Sequence, residues 1–417
     1  MRYQLPEQGQ PWRTLEQKLV RVQQSDLDYE GGVFERYWPA YPSEVYLAAR
    51  SAQSMFAYTN VFSLADVPSL ARIDRELRAM VADILHLPEA GAVTLTGGGT
   101  ESNFLAMKAA RRRGWTRGVE RPNVVVPVTA HPSFDKAGDE LGMVVRRTPV
   151  DSSYRALARE IGSAIDADTV LVAGSAPSYP QGVVDPIADI GEVAADADVW
   201  MHVDACVGGF LLPFLRDLDP TVPRFAFDLE PVWSVSADLH KFGLCLNGIS
   251  TFSVRSEHLT DLHTFTLGGE GWPYRGYRRV GFAGSRPGAT LAAAWTTLQS
   301  LGREGYRDVA RSIRDTSQAI ADRASAIPGL RVPIAPEAGI VVLFPEEGVD
   351  VEQVSAALLA RGWDISTALT PPTLHLLMSP GLEHLVDRLI DDLARSVAEV
   401  RAGRPAAVPS RGFEYGD

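Results

Sequence analysis

The stretch Val93-Thr-Leu-Thr-Gly-Gly-Gly-Thr-Glu-Ser-Asn-Phe-Leu-Ala-Met-Lys-Ala-Ala-Arg111 passes from a short β-type run through three glycines into a strong helix pattern. Strand, turn and helix in that order are the building unit of an α/β sheet. The glycines allow backbone N–H groups close to an anion, and the helix start adds roughly half a positive charge. With the hydroxyls of Thr100 and Ser102 nearby, the segment suits a phosphate monoester. It is neither Gly-x-Gly-x-x-Gly nor a P-loop, since no Gly-Lys-Ser/Thr follows. A glycine-rich turn without a ligand is the plain alternative.

Downstream, strand and helix signals alternate for about 130 residues. Val124–Val128 reads as a strand ending at Thr129-Ala-His131, and Thr169–Ala173 as one ending at Gly174-Ser175. Val199–Val203 runs into Asp204, and Val232–Ser236 leads to Ala237-Asp-Leu-His-Lys241. Such alternation predicts a doubly wound, mostly parallel sheet whose ligands sit at the carboxyl ends of the strands. His131, Ser175, Asp204 and Lys241 all fall at those ends. Singly, each has a dull reading as a turn or capping residue; together they mark one edge of one sheet.

Lys241 stands out by composition. The chain has four lysines (Lys18, Lys108, Lys136 and Lys241) against thirty-six arginines. Lys18 and Lys108 lie in arginine-bearing helical patterns, where a solvated lysine is ordinary. Lys241 follows a strand and precedes Gly243, a place for an amine that bonds to a carbonyl.

Upstream, Leu15, Leu19 and Val22 fall at helical spacing, and Val45–Met55 carries a second apolar stripe. A longer helix starts near Pro68 and runs to about Leu85. Leu267–Val280, rich in glycine, aromatics and arginine, reads as an ordered loop, and Arg275, Arg278 and Arg279 there are candidates for holding a substrate anion. Helices follow at Ala289–Gly302 and Tyr306–Ala326. Strands are expected at Leu330–Pro333, Ile340–Phe344 and Leu374–Met378, with helices at Val351–Arg361 and Leu382–Val400. The expected organisation is an N-terminal arm with helices (1–59), a large domain (60–305), a small α+β domain (306–401) and a flexible tail (402–417).

The 417 residues carry a net charge of -12. That argues against nucleic acid or an anionic membrane as the main partner. No apolar run reaches the roughly 20 residues of a bilayer span, and no secretory signal opens the chain. The two cysteines, Cys206 and Cys245, offer neither a disulfide framework nor metal-ligand spacing, so no metal is expected. A cytoplasmic enzyme fits these numbers.

The motifs Thr96–Ser102, His131–Lys136, His202–Phe210, Ser236–Lys241, Ala283–Gly288, Arg361–Ile365 and Pro371–His375 occur in one order. In this the chain resembles the pyridoxal-phosphate enzymes of the aspartate-aminotransferase fold (fold type I), in the group II decarboxylase branch. Within that branch it is similar to the sphingosine-phosphate lyase type, from about Gly31 to Val400. The resemblance implies pyridoxal 5'-phosphate bound through a Lys241 Schiff base, with Asp204 against the ring nitrogen and His131 stacked on the ring. It implies a phosphate seat of Gly98, Gly99, Thr100 and His240, further cofactor contacts at Ser175 and Ser236, and Ser285 and Arg286 contributed by a second subunit of a homodimer.

The implied reaction is cleavage of Cα–Cβ in a β-hydroxy amine or amino acid. An amino-acid decarboxylase is the alternative, followed by an aminotransferase or an inactive relative. Two departures bear on the substrate. Asn247 stands where such lyases carry a second lysine, and Asn60-Val-Phe-Ser63 where they carry an Asn-Pro-Leu-His pattern. The membrane anchor of the eukaryotic lyases is not expected either. Loss of two phosphate-binding groups implies a substrate other than sphingosine phosphate. Tyr179 and Tyr277 are both candidates for the catalytic acid.

Overall fold

A computed structural model describes residues 5–24, 43–62, 64–272 and 276–404. Ser63, Arg275 and residues 405–417 of the expected tail lie outside the described residues. The chain opens with α1 (Trp12–Gln23), α2 (Ser43–Met55) and α3 (Pro68–Ile84). Proline at the first position of α3 has no N–H to waste and a φ already suited to a helix. The apolar stripe of α3 then turns inward, with Leu70, Leu77 and Val81 buried, each stabilising by roughly 1.5–3 kcal/mol. By contrast α1 buries nothing: Trp12, Leu15, Leu19 and Val22 are all exposed.

The central body follows in chain order. It comprises β1 (Ala92–Thr96), α4 (Gly99–Thr116), β2 (Asn123–Pro127), α5 (Ser133–Leu141), β3 (Val144–Thr148) and α6 (Ala158–Ala164). Next come β4 (Thr169–Ser175), α7 (Ile187–Asp196), β5 (Trp200–Asp204), α8 (Leu212–Leu218), β6 (Ser234–Ala237) and β7 (Ser250–Val254). The seven strands form one sheet in the order β1-β7-β6-β5-β4-β2-β3. Within it β7 runs antiparallel to both its neighbours, β1 and β6, and every other pairing is parallel. The strands β2, β4 and β5 are buried throughout, as expected of a sheet covered on both faces by helices.

Beyond β7 lie the short α9 (Thr260–His263) and an exposed hairpin of β8 (Phe265–Leu267) and β9 (Tyr277–Arg279). Helix α10 (Gly288–Ala324) follows, broken at Gly302, whose φ of 57° takes it out of the helix. The sequence break expected after Gly302 is this kink. The last layer is a second sheet, β10-β11-β13-β12, made of β10 (Leu330–Arg331), β11 (Ile340–Pro345), β12 (Ser366–Leu369) and β13 (Pro372–Leu377). It carries α11 (Val351–Leu359) and α12 (Val386–Arg401). Asp350 caps α11 by accepting from the amides of Glu352 and Gln353.

Several bonds tie the C-terminal part of the chain, from α10 onward, to the loops of the large sheet. Tyr306 Oη donates to Gly243 O at 2.7 Å, the His375 ring bonds Tyr179 O at 2.9 Å, and Val184 N donates to Glu337 at 2.9 Å. Among the described residues no helix is long and apolar enough to cross a membrane.

Candidate active site

Because β7 alone is reversed, β1, β2, β4, β5 and β6 all end on one edge of the sheet. A cavity of about 410 Å³ opens there. Its lining includes Gly98, Gly99 and Thr100 after β1, His131 after β2, and Ser175, Pro177 and Tyr179 from β4 onward. Asn103 enters from α4, Asp204, Cys206 and Val207 from β5, and Asp238, His240 and Lys241 from the turn after β6. Residues far apart in sequence are thus gathered by strand order alone.

Asp204 is the best-fixed group. Asn103 Nδ2 donates to its Oδ2 at 2.8 Å, and Cys206 N donates to its Oδ1 at 3.1 Å. Asn103 is in turn held from behind. Trp200 Nε1 donates to Ser234 Oγ at 2.7 Å, Ser234 Oγ lies 2.8 Å from His202 Nδ1, and His202 Nε2 lies 3.1 Å from Asn103 Oδ1. The chain is satisfied with a neutral ring protonated at Nε2, which leaves the Asn103 amide nitrogen pointing at Asp204. Burial pushes His202 down to about 4, in keeping with a neutral ring. Burial alone would raise Asp204, but His131, the hydrogen bonds from Cys206 and His202 outweigh it and hold the carboxyl below its usual value.

Lys241 Nζ sits 3.1 Å from Asp238 Oδ2, in a turn where Lys241 N donates to Asp238 O. His240 Nε2 is 3.6 Å from the same carboxylate, and its Nδ1 accepts from Ile249 N. His131 Nδ1 accepts from Ser133 N at 3.1 Å. Burial lowers both histidines from their ordinary value, so each is neutral near pH 7. At the start of α4, a Cβ on Gly99 would come within 2.5 Å of Cys206 Sγ and 3.0 Å of both Asp238 oxygens. Only glycine lets the backbone lie this close to the floor of the cavity.

Three expected cofactor residues are placed elsewhere. Ser236 is level with Asp204 in the strand register but does not line the cavity. Strand alternation puts it on the same face as Ser234, and its Oγ lies 3.2 Å from His202 Nε2 behind the floor. Ser285 and Arg286 do not line this cavity; Arg286 lines a separate cleft of about 230 Å³ with Arg78, Glu101, Arg278 and Arg279. Asn60 bonds both, through Ser285 Oγ at 3.0 Å and Arg286 N at 3.2 Å. Arg278 is ion-paired with Asp261, and Arg279 stacks over Phe62; neither faces the Lys241 cavity, and Arg275 lies outside the described residues. Of the two candidate tyrosines, Tyr179 lines the cavity and Tyr277 lies in the exposed hairpin.

Sequence reading missed Asn103 and Asp238. Asn103 falls one turn after Gly99 on α4, and Asp238 three residues before Lys241, so both spacings held a signal. The residues fit pyridoxal phosphate: an amine, a buried carboxylate locked as an acceptor, and a helix start where Gly99 leaves no room for a Cβ.

Fold and site define a fold-type-I pyridoxal-phosphate enzyme, a lyase. The chain belongs to the pyridoxal-dependent decarboxylase family, whose conserved domain matches residues 6–344. Over 373 residues it is 35% identical to the sphingosine-1-phosphate lyase of rice, covering 88% of this chain and 68% of that one. For the Arabidopsis thaliana lyase the figures are 34% over 359 residues, 84% and 65%, so the match spans about two thirds of these plant proteins. A probable L-tyrosine/L-aspartate decarboxylase of Methanothermobacter thermautotrophicus is 31% identical over 80% of this chain and 90% of its own. The solved sphingosine-1-phosphate lyase of Burkholderia pseudomallei superposes with a TM-score of 0.91 at 32% identity, covering 97% of this chain and 94% of that one.

Proposed function

We propose that this protein is a carbon–carbon lyase that cleaves Cα–Cβ of a β-hydroxy amine or amino acid, with its cofactor attached at Lys241. The observation that carries the reading is the likeness to the Burkholderia lyase across 94% of that chain, at a level of identity that reaches beyond fold. Bound pyridoxal phosphate supplies an electron sink for the pair released when a bond at Cα breaks. The chain's residues prepare for that. Asp204, held by Asn103 and the Cys206 amide, would offer a fixed negative charge to the bound cofactor's ring nitrogen. His131, neutral through burial, would lie against the cofactor without adding charge. The start of α4 at Gly98–Thr100, with His240, would hold its phosphate. Tyr179, held through its backbone by His375, is the phenol placed to hold a proton at the substrate.

The substrate is other than sphingosine phosphate. Among the described residues of this chain that line the cavity Lys241 is the one lysine or arginine, so the chain's own lining offers a second phosphate no further cation. Ser285 and Arg286 reach a site only if a second copy brings them to it, so the working unit is a homodimer with shared sites. The exposed apolar face of α1 supports an added interface. An amino-acid decarboxylase is the second reading, favoured by the Methanothermobacter relative. Mass spectrometry after incubation with amines and amino acids separates the two. Aldehyde plus a shortened amine identifies the lyase; carbon dioxide plus an intact-chain amine identifies the decarboxylase and overturns our first reading.

A further inference from the structure

Asp238 is 2% exposed, yet its carboxylate is only half used. Oδ2 faces Lys241 Nζ at 3.1 Å, and Oδ1 has no hydrogen-bond partner among the described residues. Neither an arginine nor a second lysine lines the cavity around it. We propose that Asp238 is the base that takes the proton Lys241 must lose before its amine can bond to the cofactor's aldehyde. The inference rests on Lys241 being the attachment point.

The neighbours on its own turn, on β5, after β2 and on α4 argue for Asp238 by elimination, and the Tyr179 phenol after β4 is a proton donor rather than a base while neutral. On its own turn, His240 is neutral and accepts at Nδ1 from Ile249 N, so its Nε2 carries the proton and cannot receive another. From β5, Asp204 already accepts from Asn103 and the Cys206 amide. Burial and both carboxylates push the Cys206 thiol well above its ordinary value, so it stays protonated. From the loop after β2, His131 Nδ1 is engaged by Ser133 N. On the side of α4, Gly99 presents backbone alone. Asp238 is left with an open acceptor, already in contact with the ammonium.

The balance is internal. The Lys241 ammonium and the Asp238 carboxylate become an amine and a carboxylic acid, with no net charge moved into or out of the cavity. The amine's lone pair then forms the N–C bond. The aldehyde oxygen leaves as water with the two hydrogens that remain on Nζ. The proton on Asp238 stays in the site, available to return to the nitrogen.

The test uses the full chain stripped of cofactor, as wild type, Asp238→Asn and Lys241→Ala. Attachment of added pyridoxal phosphate is followed by stopped-flow absorbance across pH. Binding of deoxypyridoxine phosphate, which lacks the aldehyde, is measured in parallel. The expected result for Asp238→Asn is attachment slowed at least about tenfold near pH 7 and recovering as pH rises, when solvent base takes the lysine's proton instead. Binding of the deoxy analogue should change by less than about threefold, well under the 1.4 kcal/mol of a tenfold effect. Equal attachment rates at every pH overturn the proposal. So does a parallel loss of analogue binding, which makes Asp238 part of the cofactor's seat instead. If Lys241→Ala attaches cofactor as wild type does, the lyase reading falls together with this inference.

Discussion

Asn103, on α4, donates to Asp204, at the end of β5, across 2.8 Å and 101 residues of sequence. The same side chain donates to Ser133 Oγ and takes the His202 ring at its carbonyl oxygen. One buried amide thereby decides which way the carboxylate beneath the cavity faces. Asn103→Ala leaves Asp204 Oδ2 short of a partner, at about 1–3 kcal/mol for the unsatisfied group, while His202 Nε2 keeps Ser236 Oγ. The expected outcome is a lower Tm and cofactor affinity reduced about tenfold, since 1.4 kcal/mol is a factor of ten. Thermal melts and a cofactor titration check both.

Asp204→Asn removes the charge but keeps the shape. Cofactor should still bind and colour the protein, while kcat falls at least about a hundredfold, near 2.7 kcal/mol of barrier. Wild-type turnover in Asp204→Asn contradicts the role given to this carboxylate.

Gly99→Ala places a methyl against Cys206 Sγ and Asp238. Loss of cofactor binding with a modest loss of stability is expected, because overpacking costs typically 1–3 kcal/mol. Isothermal titration with pyridoxal phosphate measures the first effect and denaturant melts the second.

Acid should loosen the fold through His202. Its folded value of about 4 lies below the unfolded 6.5, so between those limits the unfolded chain binds more protons. Stability from this group is present above 6.5 and declines as pH falls to about 4, by about 3 kcal/mol at most. Asp185, raised by burial to about 6, acts oppositely: its contribution is complete below the unfolded carboxyl value of about 3.9 and is lost as pH rises through 6. Comparing wild type with His202→Gln cancels the Asp185 part. The glutamine variant should show the flatter decline in Tm below about pH 6.5.

Shared sites make a complementation test possible. Lys241→Ala and Arg286→Ala are each expected to be nearly inactive, and a re-paired mixture should regain up to about a quarter of wild-type turnover, since a mixed pair has one intact site of two and random pairing makes about half the dimers mixed. No recovery after mixing and refolding contradicts sites built from two chains.

Much of this arrangement was legible from the sequence. The buried parallel strands announce themselves as valine-rich runs, and His131, Ser175, Asp204 and Lys241 could be placed at their ends before any coordinates. Strand β7 was not seen because Ser250-Thr-Phe-Ser-Val254 is fully buried with two serines and a threonine, a composition that reads as loop. The hydroxyls of Ser250 and Thr251 are spent on Ala237 O, which only pairing reveals. Ser236 entered as a cofactor contact through the resemblance alone, since position at a strand end does not say which face a side chain takes. Asn103 and Asp238 had a signal in their spacing from Gly99 and Lys241, but the partners each one meets across the cavity show only in the fold.

The central claim is attachment at Lys241, and the chain's four lysines make it directly measurable. Protein loaded with pyridoxal phosphate is reduced with borohydride, digested and mapped by mass spectrometry. The account requires a visible absorbance band that reduction removes, with the added mass on the peptide containing Lys241 and none in Lys241→Ala. Label on Lys18, Lys108 or Lys136, or no label at all, contradicts it.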